Sequence, residues 1–266
     1  MISIEIPIIQ GESLNELMDS IYSQSNQDFQ VIAVAPPGEV ADRISKYDIK
    51  LVRCRTGLLD ARYLAHLEAR GDYELLLDET RILREDALRV ISNVVVSPMA
   101  VVGEEEAGEG FWVKLAQLDK EMIMEYNTSV VEPAKSFVLP RLYKRELLDN
   151  AFINLKINIP TEVFHRIIYE DHHLIFYEAY RTSKAINIIR EPLIKHYGDS
   201  SLTDIARKYY RYGSTSNLLR RTSYWEFINT TKRKRVVKGV RNTICLFILY
   251  SVRGIPFVVG SWFGRG

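Results

Sequence analysis

Two acidic pairs lie far apart in the chain, at points where carboxylates could do chemistry. Asp78 and Glu79 follow the apolar run at 73–77, and Glu170 and Asp171 precede a stretch with apolar residues at helical spacing. A carboxylate at the carboxyl end of a buried strand faces the crevice where open α/β sheets bind ligands, and it can hold a divalent cation against a phosphate. A positioned carboxylate can also act as a general base.

Each pair also has a purely structural interpretation. Asp78 and Glu79 could form an acidic turn or a helix cap after the strand. Glu170 and Asp171 could simply place negative charge at the positive end of a helix. Residue type and position alone leave both interpretations open.

The elements that position the first pair alternate between strand and helix. The runs at 2–9 and 29–34 are apolar and typical of buried strands. Between them, Ser13 and Glu16 fit a capping box at the start of a helix. This order predicts a βαβ unit, in which the two strands are parallel and the crossover is right-handed.

The following residues continue this pattern. Helices are predicted at 40–46 and 83–95, and strands at 50–54 and 99–103. The acidic, glycine-containing stretch 104–110 is predicted to be a mobile loop beside the site. The predicted fold class is therefore α/β, with a mostly parallel central sheet flanked by helices.

Length and composition are those of an ordinary globular protein. With 266 residues, 47% of them hydrophobic and 26% charged, the chain can bury one sizeable core. We expect one domain of catalytic size at 1–225 and a C-terminal segment at 226–266. The formal charge of +1 averages over an acidic stretch at 104–109 and a basic one at 207–253. The basic part is expected to meet an anionic partner.

One segment carries a resemblance to a known family. Residues 61–78 combine a helix, a glycine stop, a buried strand and an acid, and they resemble the text A-R-N-x-G, A-x-G-x-Y, L-D-x-D of family 2 inverting glycosyltransferases. Arg62, Gly71, Tyr73 and Asp78 are in register with it. The resemblance implies a Rossmann-like glycosyltransferase A-type domain that transfers a sugar from a nucleotide diphosphate donor.

The resemblance also implies a metal. In the family, the aspartates of this text hold the metal and the diphosphate. It therefore implies that Arg62 and Asp78 bind the donor, and that Asp78 and Glu79 hold Mg²⁺ or Mn²⁺. Thr80 replaces the second aspartate of the motif, which puts the metal site in doubt.

The first strand and its loop resemble the family's I-P-x-Y-N-E text. Pro7, Ile8, Gln10 and Glu12 are thereby implied to contact the donor. The second strand departs from the family, because Ala35 stands where a D-D-G-S motif usually begins and binds the base. The base would then be recognised differently.

The second acidic pair resembles the family's E-D pair, which supplies the catalytic base. The resemblance implies that Asp171, preceded by Glu170, removes the acceptor proton in a single displacement that inverts the anomeric carbon. His196 and Arg207 fall in text similar to the family's H-x(3 to 6)-S and K-Y-x-x-Y-G segment, which closes over the diphosphate. A lone histidine after a strand, here predicted at 185–189, is more often a structural hydrogen-bonding residue.

The C-terminal segment combines basic and apolar residues. A cationic run begins at 232, an apolar helical stripe follows at 236–248, and residues 254–263 are apolar but interrupted by glycine and proline. No uninterrupted apolar run approaches the roughly 20 residues of a spanning helix, so we expect residues 232–263 to lie in a membrane interface. The alternatives are a helical pair packed on the domain or on a second subunit of a homo-oligomer. A nucleic-acid patch is a weaker choice.

Compartment and acceptor follow from these features. Cys54 and Cys245 cannot build a disulfide framework and no secretory signal precedes the first strand, which indicates a reducing cytoplasm. The enzyme would then be peripheral at the inner face of the cell membrane, where a lipid-linked or polysaccharide acceptor is within reach.

One rival belongs to a different functional class. A non-catalytic homologue would keep the fold and bind a glycan, a lipid or a partner enzyme, and Ala35 and Thr80 favour it. A dinucleotide or P-loop enzyme is poorly supported, because neither glycine-rich phosphate loop follows the first strand.

Overall fold

A computed structural model of the chain describes residues 1–11, 13–126, 131–135, 139–198, 200–230 and 235–264. The strands are β1 (Ile2–Pro7), β2 (Phe29–Ala35), β3 (Lys50–Arg53), β4 (Tyr73–Leu76), β5 (Arg81–Leu83), β6 (Met99–Ala107), β7 (Leu142–Lys144) and β8 (Ile186–Tyr197). The helices are α1 (Leu14–Tyr22), α2 (Glu39–Ile44), α3 (Leu58–Glu68), α4 (Ala87–Val94), α5 (Phe111–Tyr126), α6 (Arg145–Asn158), α7 (Thr161–Phe164), α8 (Asp171–Thr182), α9 (Leu202–Leu219), α10 (Trp225–Thr230) and α11 (Gly239–Phe263).

Strands β1 to β4, within residues 2–76, form the parallel unit that the sequence predicts. Strands β3, β2, β1 and β4 lie side by side and all run parallel. The apolar face of α1 is buried against this sheet through Leu14, Leu17 and Ile21. Ser13 precedes α1, but its side chain makes no capping hydrogen bond, so the predicted capping box does not form as such.

The strands after β4 make the sheet mixed. The strand order of the whole sheet is β3-β2-β1-β4-β7-β6-β8-β5, and β7 runs antiparallel to both of its neighbours. Because β7 reverses direction between β4 and β6, these two strands run the same way, and β8 is parallel to β6. The carboxyl ends of β1, β4, β6 and β8 therefore meet at one edge of the sheet. This confirms the predicted α/β fold.

The acidic stretch after residue 103 differs from its prediction. Residues 104–107, predicted to lie in a mobile loop, form the end of β6 and pair with β8. Acidic residues are uncommon in strands, but here tertiary contacts override the propensity: Glu104 pairs with Arg81 and Arg141, and Glu106 with Lys120. The predicted helix at 83–95 likewise begins only at 87, because 81–83 form β5.

The apolar part of the C-terminal segment, at 239–263, is one continuous helix rather than two pieces. Helix α11 runs through Pro256 and packs on α9 so closely that a Cβ at Gly213 would collide with the carbonyl oxygen of Phe257, and one at Gly260 with that of Tyr210. This close packing holds α11 together where proline removes a backbone donor. By length and composition α11 could cross a membrane, and only 11% of its most apolar window is buried.

A buried polar cluster lies where α3 packs against strands β1 and β4. Glu5 on β1, Glu74 on β4 and His66 on α3 are all buried, and their ligating atoms lie within 4.8 Å of one another. Nδ1 of His66 lies 2.9 Å from Glu74, and Nε2 lies 3.0 Å from Asp149 on α6. Burial raises the pKa of the Glu74 carboxyl to about 7, against the opposing effects of Glu5 and Arg145.

This shifted carboxyl should make stability depend on pH. The folded protein holds a proton on Glu74 that the unfolded chain releases near its ordinary pKa of about 4.3, so the free energy of unfolding falls as pH rises from about 5 to 7. Glu74→Gln cannot ionise and should gain roughly 2 kcal/mol relative to wild type between those limits. Chemical denaturation across this range measures the difference. The exposed Glu146→Gln is the control, and an unchanged slope in Glu74→Gln would contradict the assignment.

Candidate functional site

A cleft of about 780 Å³ opens at the shared carboxyl edge of β1, β4, β6 and β8. Helices α5, α8, α9 and α11 contribute the remaining walls. Eight residues that the sequence predicts to be functional line this cleft: Pro7, Gln10, Asp78, Glu79, Glu170, Asp171, His196 and Arg207.

The other predicted donor-binding residues are placed differently. Ile8 and Ala35 are buried in the core and do not line the cleft. Arg62 is fully buried directly beneath it. Glu12 lies outside the described residues. The cleft wall is therefore formed by the ends of the strands and by the later helices more than by the opening segment.

Arg62 joins the two acidic pairs. Its Nε donates to Oδ2 of Asp171 at 2.7 Å, its Nη2 donates to Oδ1 of Asp78, and its Nη1 donates to the carbonyl of Leu77 at 3.1 Å. The arginine lies on α3, Asp78 follows β4 and Asp171 begins α8, so one guanidinium fixes three elements. Asp78 and Asp171, 93 positions apart, thus face one cleft.

Asp78 is surrounded by cations. Its Oδ2 accepts from Nη1 of Arg81 and lies 3.6 Å from Nη1 of Arg141, while Oδ1 accepts from Arg62. Burial alone would raise the pKa of Asp78, but Arg81 and Arg62 outweigh it and hold the pKa well below its usual range. Asp78 is therefore a permanent carboxylate at neutral pH.

The carboxylate of Glu79 binds the loop after β1 rather than the groups around Asp78. Its carboxylate accepts hydrogen bonds from the backbone amides of Ile9, Gln10 and Gly11, at distances of 2.8–3.3 Å. It thus shapes the loop after β1, where Gly11 adopts φ +68°.

The donor set at Asp78 and Glu79 does not fit a divalent cation as it stands. A cation at this place needs free carboxylate oxygens. Both oxygens of Asp78 already face guanidinium groups, both oxygens of Glu79 accept from backbone amides, and Thr80 adds no charge. The predicted metal at these two residues stays a prediction.

A second layer of charged residues was missed by sequence reasoning. Arg81 and Arg141 both donate to Oε1 of Glu104, and Lys120 on α5 lies 2.5 Å from Glu106. These residues come from β5, β6, α5 and the segment before β7, so no local motif unites them. One signal was available, since Glu104 and Glu106 are two apart and therefore share a face of a strand.

Two of the histidines that line the cleft, His172 and His196, are neutral at physiological pH. Nδ1 of His196 donates to the Glu106 carboxylate at 2.9 Å, and burial together with Arg81 lowers the pKa of His196 to about 4. Burial and Arg62 likewise lower the pKa of His172 to about 4. Nε2 of His172 lies 2.6 Å from Arg62 and 3.2 Å from Arg141, as an unprotonated ring nitrogen would.

Asp171 is placed as a base would be. It is the first residue of α8, where the helix N-terminus favours negative charge, and it is 7% exposed. Oδ2 accepts from Arg62, while no described residue donates to Oδ1. Glu170, the preceding residue, has φ 64°, and its carboxylate contacts Nδ1 of His173. This left-handed backbone conformation turns the chain into α8 at the edge of the cleft.

The α9 wall carries the remaining cations. Arg207, Lys208 and Arg211 line the cleft from this helix, and the Arg207 side chain is 71% exposed and pairs with Asp204. Arg253 of α11 also lines the cleft and donates to Asp119 of α5 at 3.1 Å. These cations thus line the same cleft as Asp78.

Comparison with solved structures places the fold. The chain is similar to S. aureus TarS, at 16% identity and a TM-score of 0.57, over 86% of this chain and 43% of that one. It is also similar to residues 1–349 of TarS in complex with UDP-GlcNAc, at 14% identity and a TM-score of 0.59, over 99% of this chain and 91% of that one.

A third similar structure is the mannosyltransferase PcManGT from Pyrobaculum calidifontis in complex with GDP-Man and Mn²⁺. Identity is 14% and the TM-score 0.57, over 98% of this chain and 71% of that one. At these identities the likeness shows the fold. No protein-family model and no curated protein sequence matches the chain.

Proposed function

We propose that the protein is a glycosyltransferase that moves a sugar from a nucleotide diphosphate donor to a hydroxyl acceptor, with inversion. One observation carries the proposal: Arg62 holds Asp78 and Asp171 at one cleft, so a diphosphate-side acid and a candidate base face the same space. The solved structures of the same fold that contain UDP-GlcNAc or GDP-Man support a nucleotide-sugar donor.

The reaction is a single displacement. The acceptor oxygen attacks the anomeric carbon while its proton passes to Oδ1 of Asp171, the oxygen left free by Arg62. The bond between the anomeric carbon and the diphosphate oxygen breaks, and the electron pair leaves with the diphosphate. Attack from the face opposite the leaving group inverts the anomeric configuration.

The charge on the leaving diphosphate needs nearby donors. Arg81 and Arg141 beside Asp78, together with Arg207 and Lys208 on α9, are the cations that line the cleft there. Donors that are fixed before the reaction stabilise a developing charge without reorganising. Asp78 keeps the guanidinium groups in place and Arg62 aligns them with the base.

The experiment that tests the proposal is a screen of nucleotide sugars. Purified protein is incubated with UDP-, GDP- and other nucleotide-activated sugars, with anionic vesicles present, and release of free nucleotide diphosphate is followed. Slow hydrolysis of one donor class is the expected result. A non-catalytic relative, the rival function that Ala35 and Thr80 favour, predicts no turnover of any donor.

The acceptor side is proposed to lie at a membrane. Helix α11 exposes Val240, Ile244, Phe247, Ile255 and Trp262, with exposed fractions from 54% to 76%. The same helix packs on α9, which lines the cleft, so an enzyme held at the cytoplasmic membrane face through α11 would meet a lipid-linked or polysaccharide acceptor.

Vesicle flotation tests the membrane contact. Each large apolar side chain buried in lipid contributes about 1.5–3 kcal/mol, so Phe247→Asp and Ile255→Asp should each weaken binding to anionic vesicles about tenfold or more. Val96→Asp changes an apolar residue that is 86% exposed on another surface, and it should float like wild type. Equal flotation of all variants would exclude α11 as the contact.

A further inference from the structure

Arg81 and Arg141 form a matched pair of guanidinium groups in the cleft. Arg81 donates from Nη1 to Asp78 and from Nε to Glu104 at 3.1 Å. Arg141 donates from Nε to Glu104 and from Nη1 to the carbonyl of Leu76 at 3.2 Å. The side chains are 13% and 11% exposed, and both line the cleft. Two acids thus hold the two guanidinium planes in fixed positions.

Each of the two guanidinium groups has an amino group that is not hydrogen-bonded to a described residue. Nη2 of Arg81 and Nη2 of Arg141 make no hydrogen bond to any described residue, and neither is among the buried polar atoms without a partner. Both amino groups are therefore accessible, and both side chains line the cleft. Each planar guanidinium therefore still offers N–H groups to a ligand.

The oxygens of the carboxylates beside these arginines already have partners. Both oxygens of Asp78, Glu79 and Glu106 face cations, histidine or backbone amides, and Glu104 faces Arg81, Arg141 and Lys120. The exception is Oδ1 of Asp171, the proposed base, to which no described residue donates. A site with spare donors and occupied acceptors fits an anion, whereas a divalent cation needs the reverse.

We infer that Arg81 and Arg141 bind the diphosphate directly and that binding does not require a divalent cation. The identity of the diphosphate, as that of a sugar donor, rests on the proposed function. Arginine suits this task because its planar group meets two phosphate oxygens at once and stays charged at any working pH. Thr80 is then consistent with the site, since a second carboxylate beside Asp78 would compete with the diphosphate for these cations.

Calorimetry with inorganic pyrophosphate tests the inference. Pyrophosphate should bind wild-type protein in EDTA, and MnCl₂ titrated into the free protein should give no binding heat at the cleft. Charge-assisted hydrogen bonds contribute about 1.5–3 kcal/mol, so Arg141→Met should weaken pyrophosphate binding roughly 10- to 100-fold. Arg141→Lys keeps the charge without the planar group, so its affinity for pyrophosphate should lie between those of wild type and Arg141→Met. Thermal unfolding checks that each variant is folded.

Two controls make the outcome decisive. Arg89→Met removes an arginine that is 54% exposed and does not line the cleft, and it should bind pyrophosphate like wild type. Pyrophosphate binding that appears only with Mn²⁺, or wild-type affinity in Arg141→Met, would overturn the inference. A protein that binds pyrophosphate in EDTA but turns over no nucleotide sugar would instead refute the proposed transferase and leave this inference standing.

Discussion

Asp171→Asn is expected to abolish most sugar transfer while leaving donor binding intact. A positioned general base contributes about 10²–10⁴-fold to a rate, and asparagine has no lone pair basic enough to take the acceptor proton. Its amide oxygen can still accept from Nε of Arg62, so the arginine keeps a partner at the position of Oδ2. Initial rates of transfer and calorimetric affinity for the nucleotide separate the two effects.

The control for this variant is Asp42→Asn. Asp42 is an acid on α2, its side chain is 70% exposed, and it pairs with Arg53 outside the cleft. It should transfer sugar at the wild-type rate. If Asp171→Asn did the same, another group would have to be the base, and the structural interpretation of the acidic pair as a helix N-terminus would be preferred.

The sequence predicted the residues that belong to a continuous segment. Arg62 and Asp78 lie within one run of 18 residues, whose helix, glycine and strand follow from local periodicity and turn chemistry. The βαβ start was predicted for the same reason. Asp171 was predicted from a family resemblance, and its contact with the guanidinium that also binds Asp78 is seen only in the fold.

The residues that sequence reasoning missed depend on strand pairing between distant segments. Arg81 on β5 meets Glu104 on β6 because both strands pair with β8, and Arg141 precedes β7. None of these contacts leaves a local pattern. The acidic stretch 104–110 was interpreted as a loop because its charge suits solvent, whereas in the fold Glu104 and Glu106 are neutralised by cations from other segments.

The C-terminal segment shows that glycine and proline do not always mark the end of a helix. Gly254 and Pro256 suggest an interruption, yet α11 is continuous, because contact with α9 stabilises backbone that proline would weaken in isolation. Gly213 and Gly260 supply that contact by letting the two helix backbones meet. The predicted apolar stripe at 236–248 was confirmed as helical from residue 239 onward, and its contact with a membrane stays a prediction.

Arg62→Met should be the most damaging single change in the site, since it acts on stability and on chemistry together. Removing one partner of a buried ion pair costs about 3–5 kcal/mol, because the remaining charges stay buried without compensation. Here Asp171 loses its donor at 2.7 Å, and Asp78 loses one of its guanidinium partners. Both the free energy of unfolding and sugar transfer should fall, measured by chemical denaturation and initial rates.

Arg62→Lys separates the two effects. A lysine ammonium keeps the positive charge but is a compact donor, so it cannot span both carboxylates as the planar guanidinium does. The variant should recover part of the lost stability while transfer remains low, because Asp78 and Asp171 are no longer held in register. Arg70→Met, at an exposed position after α3, should change neither quantity. Wild-type transfer in Arg62→Lys would show that charge alone, and not the bridge between the two acids, is what the site requires.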